Sequence, residues 1–377
     1  MRVTHVLYLA ESPGSNPLSG AENHLWTLLP ALVRAGVDVE LVAVLKGSGE
    51  FPIVTERLGQ LGDQGVIVTV LRRRRSLWSI GEKVGMLASW IDLRRYLRTR
   101  RDRILHIHLE FKYTPFVSWA AGCRRIVFSL HNDLPVYREM AGGLWFSLLN
   151  RVVTHYIAIS EGVRRLFLET SGVKIERITT IYYGVRPAAV AAHSRSEFGI
   201  PESRYVVGFV GRLTEQKNLP VMLQAFRARS QLICVLVGAG PQRKELERYV
   251  AETGMDNVLF LGMVQDAQRL MPLFDVLCLP SLWEGLGLVL VEAMFNGVPI
   301  IGSNRGAIPD ILGNGLYGMV CEPTVQGITA ALDYAFANKE TLRRQTAVAR
   351  DYALQRFSVD RMTAETMAVY RSVEGTT

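Results

Sequence analysis

Short apolar runs alternate along the chain with apolar stripes at helical spacing. Val3–Ala10 is the first run. Leu25, Leu28, Leu29, Leu32 and Val33 follow at the i, i+3, i+4, i+7, i+8 spacing of one helix face, and Gly36 closes that helix. Further strands are predicted at Val37–Leu45, Val66–Leu71, Ile104–Leu109, Arg125–His131 and His155–Ile159. A second series runs Tyr205–Gly211, Leu232–Gly238, Val258–Leu261, Val276–Pro280, Val298–Ile301 and Gly318–Cys321. Strands that alternate with helices in this way form a parallel sheet covered on both faces. Between the two series lies Arg186–Glu202, with Pro187, Pro201 and a run of alanines and valine, the composition of a linker. The expectation is an α/β protein of two doubly wound Rossmann-like domains, residues 1–186 and 204–357, joined over 187–203. Ligands of such sheets sit beyond the carboxyl ends of the strands, so the cleft between the domains is the default site.

Composition narrows the class. With 377 residues, 49% hydrophobic and 21% charged, the chain can fill two cores and is not disordered. Cys123, Cys234, Cys278 and Cys321 are far apart and form no CxxC pair, which suits small buried hydrophobes in a reducing compartment. Val3–Ala10 is too short for a signal peptide and no 18-residue apolar stretch occurs, so a cytoplasmic location is expected. The formal net charge of +8 is not spread evenly. Residues 72–103 hold eleven bases against three acids, an excess equal to that of the whole chain. Arg72, Arg73, Arg74, Arg75, Arg94 and Arg95 interleave there with Trp78, Ile80, Trp90, Ile91 and Leu93. Such a mixture reads as an amphipathic helix pair facing an anionic membrane surface, or as a solvated helix face. Nothing resembles an RNP motif, a helix-turn-helix or an aromatic stacking platform, so nucleic acid is not expected.

Three turns carry candidate chemistry. Gly238-Ala-Gly240-Pro-Gln-Arg243 follows a strand and opens a helix, but Arg243 stands where a dinucleotide fingerprint needs its third glycine. That turn suits a phosphate or nucleoside better than a nicotinamide cofactor. Gly211-Arg212-Leu-Thr-Glu-Gln-Lys217-Asn218 sets two cations at a strand's carboxyl end, with Asn218 as a fitting N-cap for the next helix. A guanidinium fork and an ammonium suit a diphosphate, and two surface charges paired with Glu215 are the plain alternative. Glu284-Gly-Leu-Gly-Leu-Val-Leu-Val-Glu292 is the strongest signal. Gly285 and Gly287 permit close backbone approach, and a helix then begins with its positive dipole end free. Glu292 lies in an apolar run where a carboxylate is costly without a partner, and a vicinal diol is a good one. His106 and His108 flank Ile107 and share one strand face, but no third ligand has the spacing for a metal, so buried polar residues near the cleft are expected.

Together these motifs resemble those of the retaining glycosyltransferases of family four, which have the two-Rossmann GT-B architecture. Ser19-Gly20-Ala-Glu22 resembles the family's glycine loop, Gly211–Asn218 its donor-phosphate loop, and Glu284 to Glu292 its E-x7-E motif. Gly297-Val-Pro-Ile with Gly306-Ala-Ile-Pro-Asp310 resembles the segment that follows, and Phe357-Ser-Val-Asp-Arg-Met to Tyr370 the last helix. The resemblance spans essentially the whole chain. It implies that residues 358–377 form a helix crossing back to the first domain. It implies that Arg212 and Lys217 bind the donor diphosphate, that Gly20 offers it a backbone N–H, and that Gly238 lies on the donor side. Glu284 would hold sugar hydroxyls, Glu292 the ribose hydroxyls, and the backbone of Gly287 and Leu288 phosphate or sugar. His131 matches the family's cleft histidine near the transferred sugar. At Tyr183-Gly184-Val185-Arg186 the chain departs from the usual Asn-Gly-Val/Ile-Asp.

The implied activity is transfer of a hexose from a nucleotide-diphosphate sugar, UDP-linked before GDP-linked, to an acceptor hydroxyl with retention. No D-x-D occurs, so neither metal nor cofactor is expected. The implied acceptor is a lipid-linked, lipopolysaccharide or exopolysaccharide intermediate at the membrane surface. Alternatives are a small soluble acceptor, or a nucleotide-sugar epimerase or hydrolase on the same architecture.

Overall fold

Among its described residues the computed structural model has thirteen strands: β1 (Arg2–Ala10), β2 (Asp38–Lys46), β3 (Ile67–Arg72), β4 (Ile104–His108), β5 (Ile126–Leu130), β6 (His155–Ala158), β7 (Ile178–Thr180), β8 (Tyr205–Val210), β9 (Leu232–Val237), β10 (Val258–Gly262), β11 (Val276–Leu279), β12 (Ile300–Ser303) and β13 (Met319–Cys321). The structure describes residues 1–10, 24–46, 52–72, 82–109, 112–131, 143–187, 193–227, 229–264 and 267–375. One sheet has the order β3-β2-β1-β4-β5-β6-β7 and the other β10-β9-β8-β11-β12-β13. Every pairing is parallel. In each sheet the strand order reverses beside the first strand, between β1 and β4 and between β8 and β11. Those switch points open a crevice at the carboxyl ends of the strands.

The chain divides into two units, Met1–Gly184 with Val359–Thr377, and Val185–Ser358. β1, β4 and β5 are buried at almost every position, as strands covered on both faces must be. Leu25, Leu28, Leu29 and Leu32 of the helix Leu25–Arg34 enter the same core as Met362, Val369, Tyr370 and Val373 of the C-terminal helix, Val359–Glu374. The C-terminal helix is therefore part of the first unit. Residues 193–203, expected to link the domains, belong to the second unit. A capping box between Ser194 and Glu197 starts a 3-10 turn there. Arg195 ties it down, its Nη2 donating to Asp275 at 2.9 Å and its Nε to the Leu273 carbonyl at 3.0 Å. The four cysteines are free, and burial pushes the Cys123 and Cys321 thiols up to about 11, which leaves them inert.

The basic segment has a mixed fate. Within it the described residues form one helix, Glu82–Leu97, and residues 73–81 lie outside them. Leu93 and Leu97 are buried while Arg94, Arg95 and Arg98 are exposed. Arg100 and Arg103 are spent inside the fold: their guanidinium groups reach the buried Glu40 at 2.8 and 3.6 Å. Glu40 also accepts from Thr4 at 2.8 Å. The whole +8 excess is thus not available to an external partner.

The Gly238 turn serves the backbone. Gly238 has φ +137°, and a Cβ there would overlap the Gly211 carbonyl. Gly211 N–H donates to the Val237 carbonyl at 3.0 Å and Leu213 N–H to Ala239 at 2.9 Å, so the loops after β8 and β9 are laced together. Gly238→Ala is expected to destabilise the second unit by about 3 kcal/mol, read as a lower Tm in calorimetry.

Candidate functional site

The second unit gathers its candidate residues at the switch point. Gly211 ends β8, and Arg212 follows, exposed and with no partner among the described residues. A 3-10 turn, Glu215–Lys217, then brings Lys217 onto the loop that follows β11. Two hydrogen bonds join these loops: Leu282 N–H donates to the Gln216 carbonyl at 2.8 Å, and the Gln216 side-chain Nε2 donates to the Trp283 carbonyl at 2.8 Å. Lys217 Nζ thereby meets Glu284 Oε1 as an ion pair. Ser281 Oγ donates to the same oxygen at 2.8 Å. Glu284 itself is only 6% exposed.

β12 holds this loop from the other side. Ser303 Oγ donates to the Ser281 carbonyl at 2.6 Å, and Ala307 N–H to the Glu284 carbonyl at 3.0 Å. Gly306, φ +58°, lies so close that a Cβ would sit 2.7 Å from Glu284 N. Gly287, φ +75°, then turns the chain into the helix Leu288–Phe295. The free N–H groups at this helix start carry partial positive charge. Glu292 is on this helix, half-buried, and its carboxylate has no hydrogen-bond partner among the described residues. Burial pushes its carboxyl up to about 7. Asn218 does not act as the expected cap. It adopts φ +55° and its Nδ2 donates to the Pro323 carbonyl at 2.9 Å, which fixes the turn instead.

In the first unit, His131 follows β5 and is buried. Its Nδ1 meets Tyr183 Oη, and its Nε2 meets His108 Nδ1 at 3.1 Å. His108 Nε2 meets His5 Nδ1 at 3.0 Å. His24 stacks on Tyr183 with ring centroids 4.1 Å apart. The third histidine missing from the sequence reading is therefore His5, on β1 beside His106 in the register. Ring nitrogens of His5, His106 and His108 lie within 4.8 Å of one another, a grouping that could hold a metal ion if the rings turned from their present partners. Burial keeps the His106, His108 and His131 imidazoles well below 6.5 and pushes His5 down to about 3.

Comparison with known proteins places this arrangement. The model of Glycosyltransferase Family 4 matches residues 18–189, and that of Glycosyl transferases group 1 matches residues 191–352. The chain belongs to the family-four-type glycosyltransferases. N-acetyl-alpha-D-glucosaminyl L-malate synthase of Bacillus anthracis is 30% identical over 186 residues, 48% of each chain. Putative glycosyltransferase EpsF of Bacillus subtilis is 31% identical over 218 residues, 52% of this chain and 56% of that one. The chain spans about half the length of the curated relatives it matches. The crystal structure of Anabaena HepE in complex with UDP has a TM-score of 0.78 at 21% identity, covering 99% of this chain and 100% of that one, and shows the same GT-B fold.

The expected site residues divide by unit. Arg212, Lys217, Gly238, Glu284, Gly287, Leu288 and Glu292 all belong to the carboxyl edge of the second sheet or the helix that follows it. His131 belongs to the first. Gly20 and Arg73–Arg75 lie outside the described residues, as does the Arg72 side chain. Ser281 and Gln216 carry no expected role from the sequence, and Gly306 only a place in a motif. Ser281 Oγ donates to Glu284 and Gln216 Nε2 to the Trp283 carbonyl, contacts between loops that the local sequence does not signal. A cavity of about 530 Å³ in the first unit, lined by Arg124, His155 and Arg177, is at the amino ends of β5–β7 and so at the wrong edge for this chemistry.

Proposed function

We propose that this glycosyltransferase moves a hexose from a nucleotide-diphosphate sugar, UDP-linked by preference, to an acceptor hydroxyl, with retention and without a metal ion. The observation that carries this reading is the cluster of Arg212, without a side-chain partner among the described residues, the Lys217–Glu284 pair and the helix start at Gly287 on one sheet edge. Breaking the sugar–phosphate bond leaves negative charge on the diphosphate while the sugar becomes oxocarbenium-like. Fixed cations and a helix N-terminus beside the departing oxygens lower that barrier. Arg212 clamps the diphosphate as a fork, and Lys217 bridges it to Glu284, whose carboxylate accepts from sugar hydroxyls. Glu292 accepts from the ribose hydroxyls, which supply the partners its carboxylate lacks. The departing phosphate takes up the acceptor proton, so attack comes on the face it leaves. UDP, and UDP with glucose, are bound in crystal structures of HepE, which supports uridine as the base. A thermal-shift panel of UDP-, GDP- and ADP-sugars tests this: a UDP-sugar is expected to raise Tm most, and a response to none of them would overturn the reading.

The acceptor is a lipid-linked or envelope glycan intermediate at a membrane surface, which the exposed Arg94, Arg95 and Arg98 face supports. Among the described residues no helix is long and apolar enough to cross a membrane. A second reading is a small soluble acceptor, favoured by relatives named as an N-acetyl-alpha-D-glucosaminyl L-malate synthase and a 2-deoxystreptamine glucosyltransferase. Co-sedimentation with anionic liposomes separates the two. Membrane work predicts binding that is lost at high salt and when Arg94 and Arg95 are changed to Ser, whereas no binding at all favours the small acceptor.

A further inference from the structure

Seven side chains of the first unit form one unbranched hydrogen-bonded run. It passes from Tyr183 Oη to His131 Nδ1, from His131 Nε2 to His108 Nδ1 at 3.1 Å, and from His108 Nε2 to His5 Nδ1 at 3.0 Å. It continues from His5 Nε2 to Tyr370 Oη at 3.4 Å, from Tyr370 Oη to His106 Nδ1 at 2.6 Å, and from His106 Nε2 to Ser129 Oγ at 2.7 Å. All seven residues are buried. Each of the four imidazoles therefore uses both nitrogens inside the run.

Burial holds these rings neutral at physiological pH. A neutral imidazole has one N–H, so it can accept on one nitrogen only while donating from the other. The sense of donation is thus handed on from ring to ring. His131, His108 and His5 must share one tautomer, because no hydroxyl interrupts them. Tyr370 can reverse the sense only by accepting twice, which would send its own proton to a further acceptor inside the core. The two ends are unequal. A phenol is a far stronger acid than an alkyl hydroxyl, hence the better donor and poorer acceptor.

We propose that the run is a single directed donor chain from Tyr183 to Ser129, which locks His131, His108, His5 and His106 as Nε2–H tautomers and makes Tyr370 of the C-terminal helix a positioning residue for His131. The chain's own departure from its family, Tyr183 in place of the usual Asn, supplies the donor at one end, and Tyr370 supplies the acceptor that His5 Nε2–H needs. The sense is fixed only while both are present, because without Tyr370 either sense leaves one buried donor unpaired, His5 N–H in one and Tyr183 O–H in the other. The consequence for catalysis rests on the proposed function. A sugar hydroxyl reaches the His131 ring only by displacing Tyr183, which uncovers a bare acceptor, or His108, which uncovers an N–H donor. A fixed tautomer fixes which of these each nitrogen offers, three links away from Tyr370.

Two-bond ¹H–¹⁵N correlation spectra of the full-length labelled chain read ring tautomers directly. At neutral pH each of the four histidines is expected to show one pyrrole-type Nε2 and one pyridine-type Nδ1. Different tautomers among His131, His108 and His5, or a metal ion bound at one per chain by these rings, would overturn the inference in the wild-type protein alone. Tyr370→Phe cuts two links, and mixed tautomers are expected to spread back to His131. Ser129→Ala removes only the far acceptor and is expected to alter His106 while leaving the other three rings as they were. If sugar is transferred, Tyr370→Phe is expected to lower kcat about tenfold, equal to about 1.4 kcal/mol, at unchanged donor KM. His131 signals unmoved in Tyr370→Phe would defeat the positioning role. A wild-type chain that transfers no sugar would defeat the proposed function and leave the tautomer result standing.

Discussion

On the proposed reading, replacing Glu284 with Gln is expected to lower sugar transfer by about 10²–10³-fold, with the thermal midpoint close to that of the wild type. Glutamine keeps the shape of the side chain and an oxygen for the Ser281 hydroxyl, which donates to Glu284 at 2.8 Å. It removes the charge that holds Lys217 in place and weakens the acceptor offered to sugar hydroxyls, which tighten in the oxocarbenium-like transition state. Lys217→Ala behaves differently. It leaves Glu284, only 6% exposed, without its counter-ion, so stability falls along with turnover. Glu284→Gln is therefore the variant that isolates chemistry. Steady-state kinetics with the preferred nucleotide sugar, paired with calorimetry, make the test. Wild-type-like kcat/KM in Glu284→Gln would remove Glu284 from the site.

The architecture was legible because buried parallel strands are apolar at nearly every position. The twelve strands expected from that pattern are all present. β7 escaped because Ile178–Thr180 is three residues long and its two threonines are only half-buried, leaving no apolar run to see. Arg212, Lys217, Glu284 and Glu292 stand out in the sequence by charge and motif, and the fold brings Lys217 and Glu284 together as an ion pair. The sequence was opaque where a side chain serves a backbone or a distant strand. Asn218 has the composition of an N-cap, yet its amide is drawn to the Pro323 carbonyl. The histidine cluster shows the same limit. His106 and His108 share a face by strand periodicity, but His5 joins them only because the crossover topology sets β1 beside β4 with His5 opposite His106. Periodicity along one strand carries no information about which strand lies next to it.

The two units are expected to respond to pH in opposite directions. In the first unit, burial pushes His5 down to about 3 from its ordinary 6.5, and holds His106, His108 and His131 well below theirs. An unfolded chain binds protons at these groups that the folded unit refuses. Their neutral forms therefore stabilise the fold fully above pH 6.5, and that contribution is lost as pH falls. For His5 alone the loss between pH 6.5 and 3 is roughly 5 kcal/mol. In the second unit, the Glu292 carboxyl is raised to about 7 from 4.5, so the folded form keeps a proton that the unfolded form gives up. Its contribution runs the other way: stability declines by about 3 kcal/mol as pH rises from 4.5 through 7. Five of the six tryptophans belong to the first unit and only Trp283 to the second, so tryptophan fluorescence follows the first unit almost by itself. An acid titration is expected to show a fluorescence transition below pH 6.5, steepening toward pH 3, while hydrogen exchange over β8–β13 reports a second unit that is firmer at pH 5 than at pH 7.5. Glu292→Gln should abolish that second trend and leave the first untouched. Fluorescence that stays flat from pH 7 to 3 would mean that the buried rings accept protons without opening the fold. Occupation by a donor whose ribose hydroxyls bond the ionised Glu292 should shift its titration downward, so the Tm gain on adding nucleotide sugar is expected to grow from pH 6 to pH 8.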